Sequence, residues 1–160
     1  MGESEDWAEE HPHCDRVQNV MILLILGVWG LDSFIVSWTT FLSGSVPFLV
    51  RLLIGLVLVV FGGYMTWSSH ETIFGGDGSP VLVDQGVYGL CRHPMYLGVV
   101  SLLLGLSLMT FSIAALALSV VFFVLYDRFA TYEEERLIEL FGEDYREYQR
   151  RVPKWFPKFG

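Results

Sequence analysis

The sequence predicts an all-α integral membrane protein of about four transmembrane helices. The third and fourth form a short helical hairpin, and a C-terminal interfacial helix follows on the cytoplasmic side. Three observations predict this. Apolar and aromatic residues make up 52% of the 160-residue chain. They are clustered: charge nearly vanishes over 17–67, is absent over 95–126, and then crowds the remainder. The ten Lys and Arg residues are also unevenly placed; with four spans, all but Arg51 share one side of the membrane. The positive-inside rule makes that side cytoplasmic, with both termini on it.

The chain reads as a single domain, 1–160. Residues 1–16 form a polar, acidic tail that lacks the basic start of a cleaved signal peptide. Gly2 follows Met1, but Asp6 stands where a myristoylation signal has Ser or Thr. Residues 17–41 are long enough for a first span. Asp32 within it must face protein or water, and the plain reading is a wetted position near the far interface. Leu42–Pro47 reads as a turn, with Pro47 suited to the start of a second span over 47–67. Tyr64 and Trp67 fit an interfacial aromatic belt.

A polar loop occupies 68–94, and its stretch FGGDGSP (Phe74–Pro80) ends any helix. The next apolar run, Met95–Tyr126, would be roughly 48 Å long as one helix against a hydrocarbon core of about 30 Å. Length therefore favours two spans, 95–110 and 112–129, turning near Met109–Ser112. In the tail, 132–151, Leu137, Leu140, Phe141, Tyr145 and Tyr148 recur at spacings of three and four, giving a helix with one apolar face.

Composition excludes some functions. A net charge of −8, with no basic patch, argues against nucleic-acid binding. Cys14 and Cys91 give no disulfide framework. His11–Cys14 (HPHC) has metal-ligating residue types but no partner cluster, so no metal site is expected.

Four spans bring Arg92, His93 and Tyr96 to the same membrane face as Glu133–Glu135. Taken singly, Arg92 and His93 read as headgroup anchors, the glutamates as a solvated helix face, and Tyr88 and Tyr96 as belt aromatics. Taken together they can wall a polar pocket. Pro94 starts a helix whose first backbone N–H groups can face a carboxylate, and Gly98 permits a close approach of a ligand or helix.

LVDQGVYGLCRHPMYLG (Leu82–Gly98), a long apolar run, and EEERLIELFGEDYREYQRRVP (Glu133–Pro153) together resemble the isoprenylcysteine carboxyl methyltransferases. These belong to a wider group of integral membrane methyltransferases that includes phospholipid N-methyltransferases. The matched positions are Leu82, Val83, Gly86, Tyr88, Arg92, His93, Pro94 and Tyr96, then Glu133, Glu134, Leu137, Phe141, Gly142, Tyr145 and Tyr148. The family's frequent histidine at Pro80 and its upstream L-G-x-x-W segment are missing.

The resemblance implies S-adenosyl-L-methionine as cofactor, and no G-x-G-x-x-G motif after a strand competes with that. It implies cofactor contacts from Val81, Leu82, Val83, Tyr88, His93, Pro94, Met95, Tyr96 and Glu133, with 68–94 as a cofactor loop. It places Arg128 nearest the family's acceptor-side arginine, five residues before Glu133 where the family has four. Arg128 or Arg92 would orient an anionic acceptor, with Glu134 beside them; alternatively Arg92 pairs with Glu134 and locks the pocket. The expected partners are the bilayer and a lipid-like or prenylated methyl acceptor. The expected reaction is carboxyl methylation of a prenylcysteine-type substrate. A lipid amine N-methyltransferase is the alternative, and a catalytically silent membrane scaffold is the second.

Overall fold

The computed structural model describes residues 14–74 and 81–156. The tail before Cys14, with most of HPHC, and the glycine-rich stretch 75–80 lie outside the described residues. The described chain forms α1 (Cys14–Leu31), α2 (Phe48–Phe74), α3 (Pro94–Thr110), α4 (Ile113–Phe141) and α5 (Glu143–Arg151). A π turn over Asp32–Val36 extends α1, and 3-10 turns cover Phe41–Ser45 and Gly86–Gly89; no strand occurs among the described residues.

Arg16–Val36, Phe48–Thr72 and Ile113–Phe141 are long and apolar enough to cross a membrane, and Pro94–Thr110 is apolar but shorter. Their outer faces present Leu23, Phe34, Val57, Val60, Trp67, Val120 and Val124 as exposed side chains. Apolar surface this extensive is what helices present to lipid. The protein is an integral membrane helical protein, as its composition predicts.

α3 is the central helix. Tyr96, Leu97, Gly98, Val100, Ser101, Leu103, Gly105 and Ser107 are all buried on it. Its contact with α2 rests on four glycines, two per helix and seven residues apart: Gly55 and Gly62, Gly98 and Gly105. A Cβ on Gly62 would meet the Gly98 carbonyl oxygen at 2.5 Å, and one on Gly105 would meet the Gly55 carbonyl oxygen at 2.7 Å. Small residues at this spacing let two helix backbones approach within a membrane. The expected close approach at Gly98 is thus made by a helix, α2, with Thr66 filling the space where a side chain would sit.

The hairpin between α3 and α4 turns where length required it. Phe111 takes the left-handed conformation (φ 58°), which costs a non-glycine residue about 1 kcal/mol. Its neighbour offsets that: the Ser112 hydroxyl accepts the Ala115 N–H at 3.3 Å and caps α4.

Two helices outrun their expected ends. α2 continues through Ser68–Phe74 because nothing before Gly75 breaks it, and the Ser69 and Thr72 hydroxyls bond back to the Met65 and Ser68 carbonyls. α4 continues from the hydrocarbon through Glu139 because its charged half is made of good helix formers. The expected tail helix over 132–151 is therefore the end of α4 plus α5, separated at Gly142, whose φ of +60° suits glycine.

Asp32 departs from the wetted reading. It is 6% exposed and fully engaged. Oδ1 accepts the Trp38 and Thr39 N–H groups at 3.0 and 2.8 Å. Oδ2 accepts the hydroxyls of Thr39 and Ser112 at 2.5 and 2.6 Å. One carboxylate thereby ties the loop after α1 to the α3–α4 turn, 80 residues away.

Candidate functional site

At the other end of the bundle the chain before α3 meets the polar half of α4. Pro94 fixes the first turn of α3, and His93 before it sits outside the helical region at φ −123°, ψ 61°. Arg92 and His93 therefore leave the loop pointing into the angle between α3 and α4. On α4, buried positions recur at Ala115, Ser119, Phe122, Tyr126, Ala130 and Glu134, one stripe at three- and four-residue spacing. Glu134 is the last member of that stripe, so a carboxylate ends a face that is otherwise apolar or small.

The two blocks join there. Arg92 Nε donates to Glu134 Oε1 at 2.8 Å, and His93 Nε2 stands 3.0 Å from the same oxygen. His93 Nδ1 lies 3.5 Å from Glu133 Oε2. Gln149 of α5 donates to Glu134 Oε2 at 3.1 Å. Arg92 Nη1 also donates to the Gln149 and Val152 carbonyls at 3.2 and 2.6 Å, and its backbone N–H to Pro153 at 3.0 Å. The Tyr148 hydroxyl donates to the Tyr88 carbonyl at 2.7 Å, and Arg151 pairs with Asp84 at 2.9 Å. Loop, α4 and α5 are thus one cross-linked unit.

His93 is buried between two carboxylates. Burial pushes its imidazolium pKa down, but hydrogen bonds and charge from Glu133 and Glu134 outweigh that and leave it above its ordinary 6.5. Both ring nitrogens face acceptors, which suits an imidazolium donating from each. Burial raises the Tyr88 phenol, the Glu133 charge raises it further, and a hydrogen bond with Ser69 opposes them. Burial pushes the Cys91 thiol up to about 11, so Cys91 is a core residue and no nucleophile.

Below this cluster lies an aromatic stack. The His93 and Tyr96 rings are parallel within 4° at 5.7 Å, and Tyr96 stacks on Tyr126 at 4.4 Å. Trp155 tilts against His93 at 5.7 Å and against Phe123 at 5.0 Å.

The expected site residues divide by position. His93, Pro94, Tyr96 and Glu134 are buried. Glu133 is 45% exposed at its side chain, and Leu82, Val83, Tyr88 and Met95 are part-exposed. Val81 is exposed, while Leu82 packs on Tyr145, Tyr148 and Val152. Arg128 is not brought to this cluster. It is exposed, about half a helical turn around α4 from the Tyr126–Ala130–Glu134 stripe, and has no ion pair among the described residues. Among the described residues, no group of three His, Cys, Asp or Glu side chains could hold a metal ion.

Sequence reasoning missed Gln149, Trp155 and the Asp127–Lys154 pair. Lys154 and Trp155 were signalled only by the aromatic and basic character of VPKWFPKF (152–159), and Gln149 and Asp127 carried no signal.

A family model described as Phospholipid methyltransferase matches residues 50–144. The chain is 39% identical over 84 residues to the cobalt-zinc-cadmium resistance protein CzcN of Cupriavidus metallidurans, covering 52% of this chain and 38% of that protein. It is 39% identical over 77 residues to protein-S-isoprenylcysteine O-methyltransferase B of Arabidopsis thaliana, covering 48% of this chain and 39% of that one. It is 30% identical over 139 residues to the protein-S-isoprenylcysteine O-methyltransferase of Saccharomyces cerevisiae, covering 79% and 57%. The chain therefore spans between about two fifths and three fifths of the length of these relatives.

Proposed function

Because the chain belongs to the phospholipid methyltransferase family, we propose that it is an integral membrane methyltransferase that uses S-adenosyl-L-methionine and acts on a lipid-like acceptor, most simply the carboxylate of a prenylcysteine-type substrate. The observation that carries this reading is the His93 imidazole held between Glu133 and Glu134. It joins the two sequence blocks into one polar cluster at the end of an apolar bundle, which would wall the cofactor chamber.

The residues fit the cofactor. Glu133 is half-exposed, and only one of its oxygens is engaged, by His93, among the described residues. Such a carboxylate suits an ammonium or ribose hydroxyls. Leu82, Val83, Tyr88 and Met95 would supply the apolar part of the site, and His93, Pro94 and Tyr96 its buried base. When bound, the cofactor supplies an electrophilic methyl group on a positively charged sulfur.

The chain's own groups do the rest. Arg92 and Gln149 hold Glu134, Glu134 holds His93, and His93 orients Glu133. Arg92 is spent on this clamp, so its role is positioning. Arg128 is the arginine left to meet an anionic acceptor, and it reaches one only from the outer face of α4. The aromatic floor keeps water away from the reacting side, which favours a transfer in which opposite charges cancel. An amine acceptor would have to lose a proton to a base. Both His93 nitrogens face carboxylates and Glu134 is fully clamped, which favours a carboxylate acceptor. The alternative, a lipid amine, is supported by the description of the matching family; Glu133 would then be the base. The excess of Lys and Arg supports a cytoplasmic site and cytoplasmic termini.

The test incubates purified protein in lipid nanodiscs with labelled S-adenosyl-L-methionine and either a farnesylated cysteine analogue or an amine phospholipid. Base-labile label on the cysteine analogue is expected. Base-stable label on the phospholipid selects the amine reading, and absence of cofactor binding by calorimetry removes both.

A further inference from the structure

The segment after α5 is tied down at two points. Val152 is buried, and the Pro153 carbonyl is fixed by the Arg92 backbone N–H. At the next residue the chain is fixed again, this time to α4. Lys154 Nζ donates to the Asp127 carboxylate at 2.7 Å, to the Asp127 carbonyl at 3.0 Å and to the Thr131 hydroxyl at 2.8 Å. Trp155 Nε1 donates to the same Asp127 oxygen at 2.9 Å. The strap thus crosses from the start of α3 to α4 at Asp127, the residue where α4 leaves its charge-free stretch.

Trp155 is aimed by this anchoring. Its ring touches His93 on the polar side and Phe123 on the hydrocarbon side, and it packs against the cores of both α2–α3 and α3–α4. An indole with its N–H on a carboxylate and its face on apolar side chains fits the boundary between headgroups and hydrocarbon.

Resting on the methyltransferase reading above, we propose that Trp155 is a specificity-determining residue for the methyl acceptor. It forms the sill over which the acceptor's reactive head passes from lipid to the chamber, and it packs against the first carbons of the apolar chain. The ligand class is a single-chain amphiphile with an anionic head. Asp127 and Lys154 are positioning residues that fix the sill.

The test uses the full chain in nanodiscs with two farnesylcysteine analogues, one bearing a benzophenone beside the sulfur and one at the far chain end. After irradiation, the near-head probe is expected to label the peptide holding residues 152–156, and unlabelled farnesylcysteine to compete it away. The far-end probe is expected to label α3 or α4 instead. Competable labelling that avoids 152–156 overturns the role of Trp155 and leaves the methyltransferase reading standing. No competable labelling anywhere overturns both. In the kinetic arm, Trp155→Ala is expected to raise KM for the farnesylated acceptor at least tenfold with KM for S-adenosyl-L-methionine unchanged, and Trp155→Phe to restore most of it. A loss confined to cofactor affinity marks a structural role and overturns the proposal.

Discussion

His93 Nε2 stands 3.0 Å from Glu134 Oε1, although 41 residues and an entire helical hairpin separate them. That contact is possible because α4 reverses the path of α3 and keeps its buried stripe in phase up to Glu134.

The two adjacent glutamates should respond differently to neutralisation. Glu134 is 11% exposed and holds Arg92, His93 and Gln149, so Glu134→Ala leaves buried cationic groups unpaired and is expected to cost about 3 kcal/mol. Glu133→Gln, at a half-exposed position, should change stability by less than about 0.5 kcal/mol. It should nonetheless weaken S-adenosyl-L-methionine binding by tenfold or more. Thermal unfolding in detergent and calorimetric titration separate the two.

His93 gives a pH dependence of definite sign. Its folded pKa lies above the ordinary 6.5, so folding favours the protonated form. The stability this contributes is fully present below about pH 6.5 and is lost as pH rises through the folded value. The difference in unfolding temperature between the natural protein and His93→Gln should therefore be largest in mild acid and shrink toward alkaline pH.

The glycine contact between α2 and α3 is tested by a matched pair. Gly98→Ala places a methyl against Thr66 and the Gly62 carbonyl and is expected to destabilise by about 1–3 kcal/mol. Gly63→Ala, next to the contact but with nothing within 4 Å of its new methyl, should leave the unfolding temperature unchanged or slightly raised.

Asp32 lies at the opposite end of the bundle from His93. Asp32→Ala strands the donors of Trp38, Thr39 and Ser112 and is expected to cost about 1–3 kcal/mol. Cofactor affinity, measured well below the unfolding temperature, should not change. A parallel loss of affinity would show that the far loop and the chamber are coupled.

The features legible in the sequence were those set by one local quantity. The length of the run from Met95 to Tyr126 favoured a hairpin, and the absence of a side chain at Gly98 permitted a close neighbour. The pairing of Arg92 with Glu134 was one of two roles open to that arginine. What escaped depends on partners far along the chain. Asp32 reads as wetted until Ser112 and Thr39 are brought to it. Arg128 matches a motif nearly in register, but one residue along a helix is a rotation of about 100°, and its side chain ends on the outer face. Trp155 and Gln149 carry no motif of their own; their importance comes from Asp127 and Glu134. The extension of α2 is hidden because polarity reads as loop, whereas a helix needs a breaker to stop; that of α4 is hidden because no local signal shows the span and the tail helix to be one helix up to Gly142.

The unbroken course of α4 from hydrocarbon to carboxylates makes bilayer thickness a variable of the chemistry. Val120 and Glu134 ride on one rod, separated by about 21 Å along its axis. The depth at which lipid grips the first sets how far the second stands out of the membrane. A thin bilayer would lift the glutamates toward bulk water, and a thick one would draw them into the headgroups, where ions attract more strongly and are hydrated less. On the proposed methyltransferase reading, lipid chain length would then tune turnover with no effector bound and no residue changed.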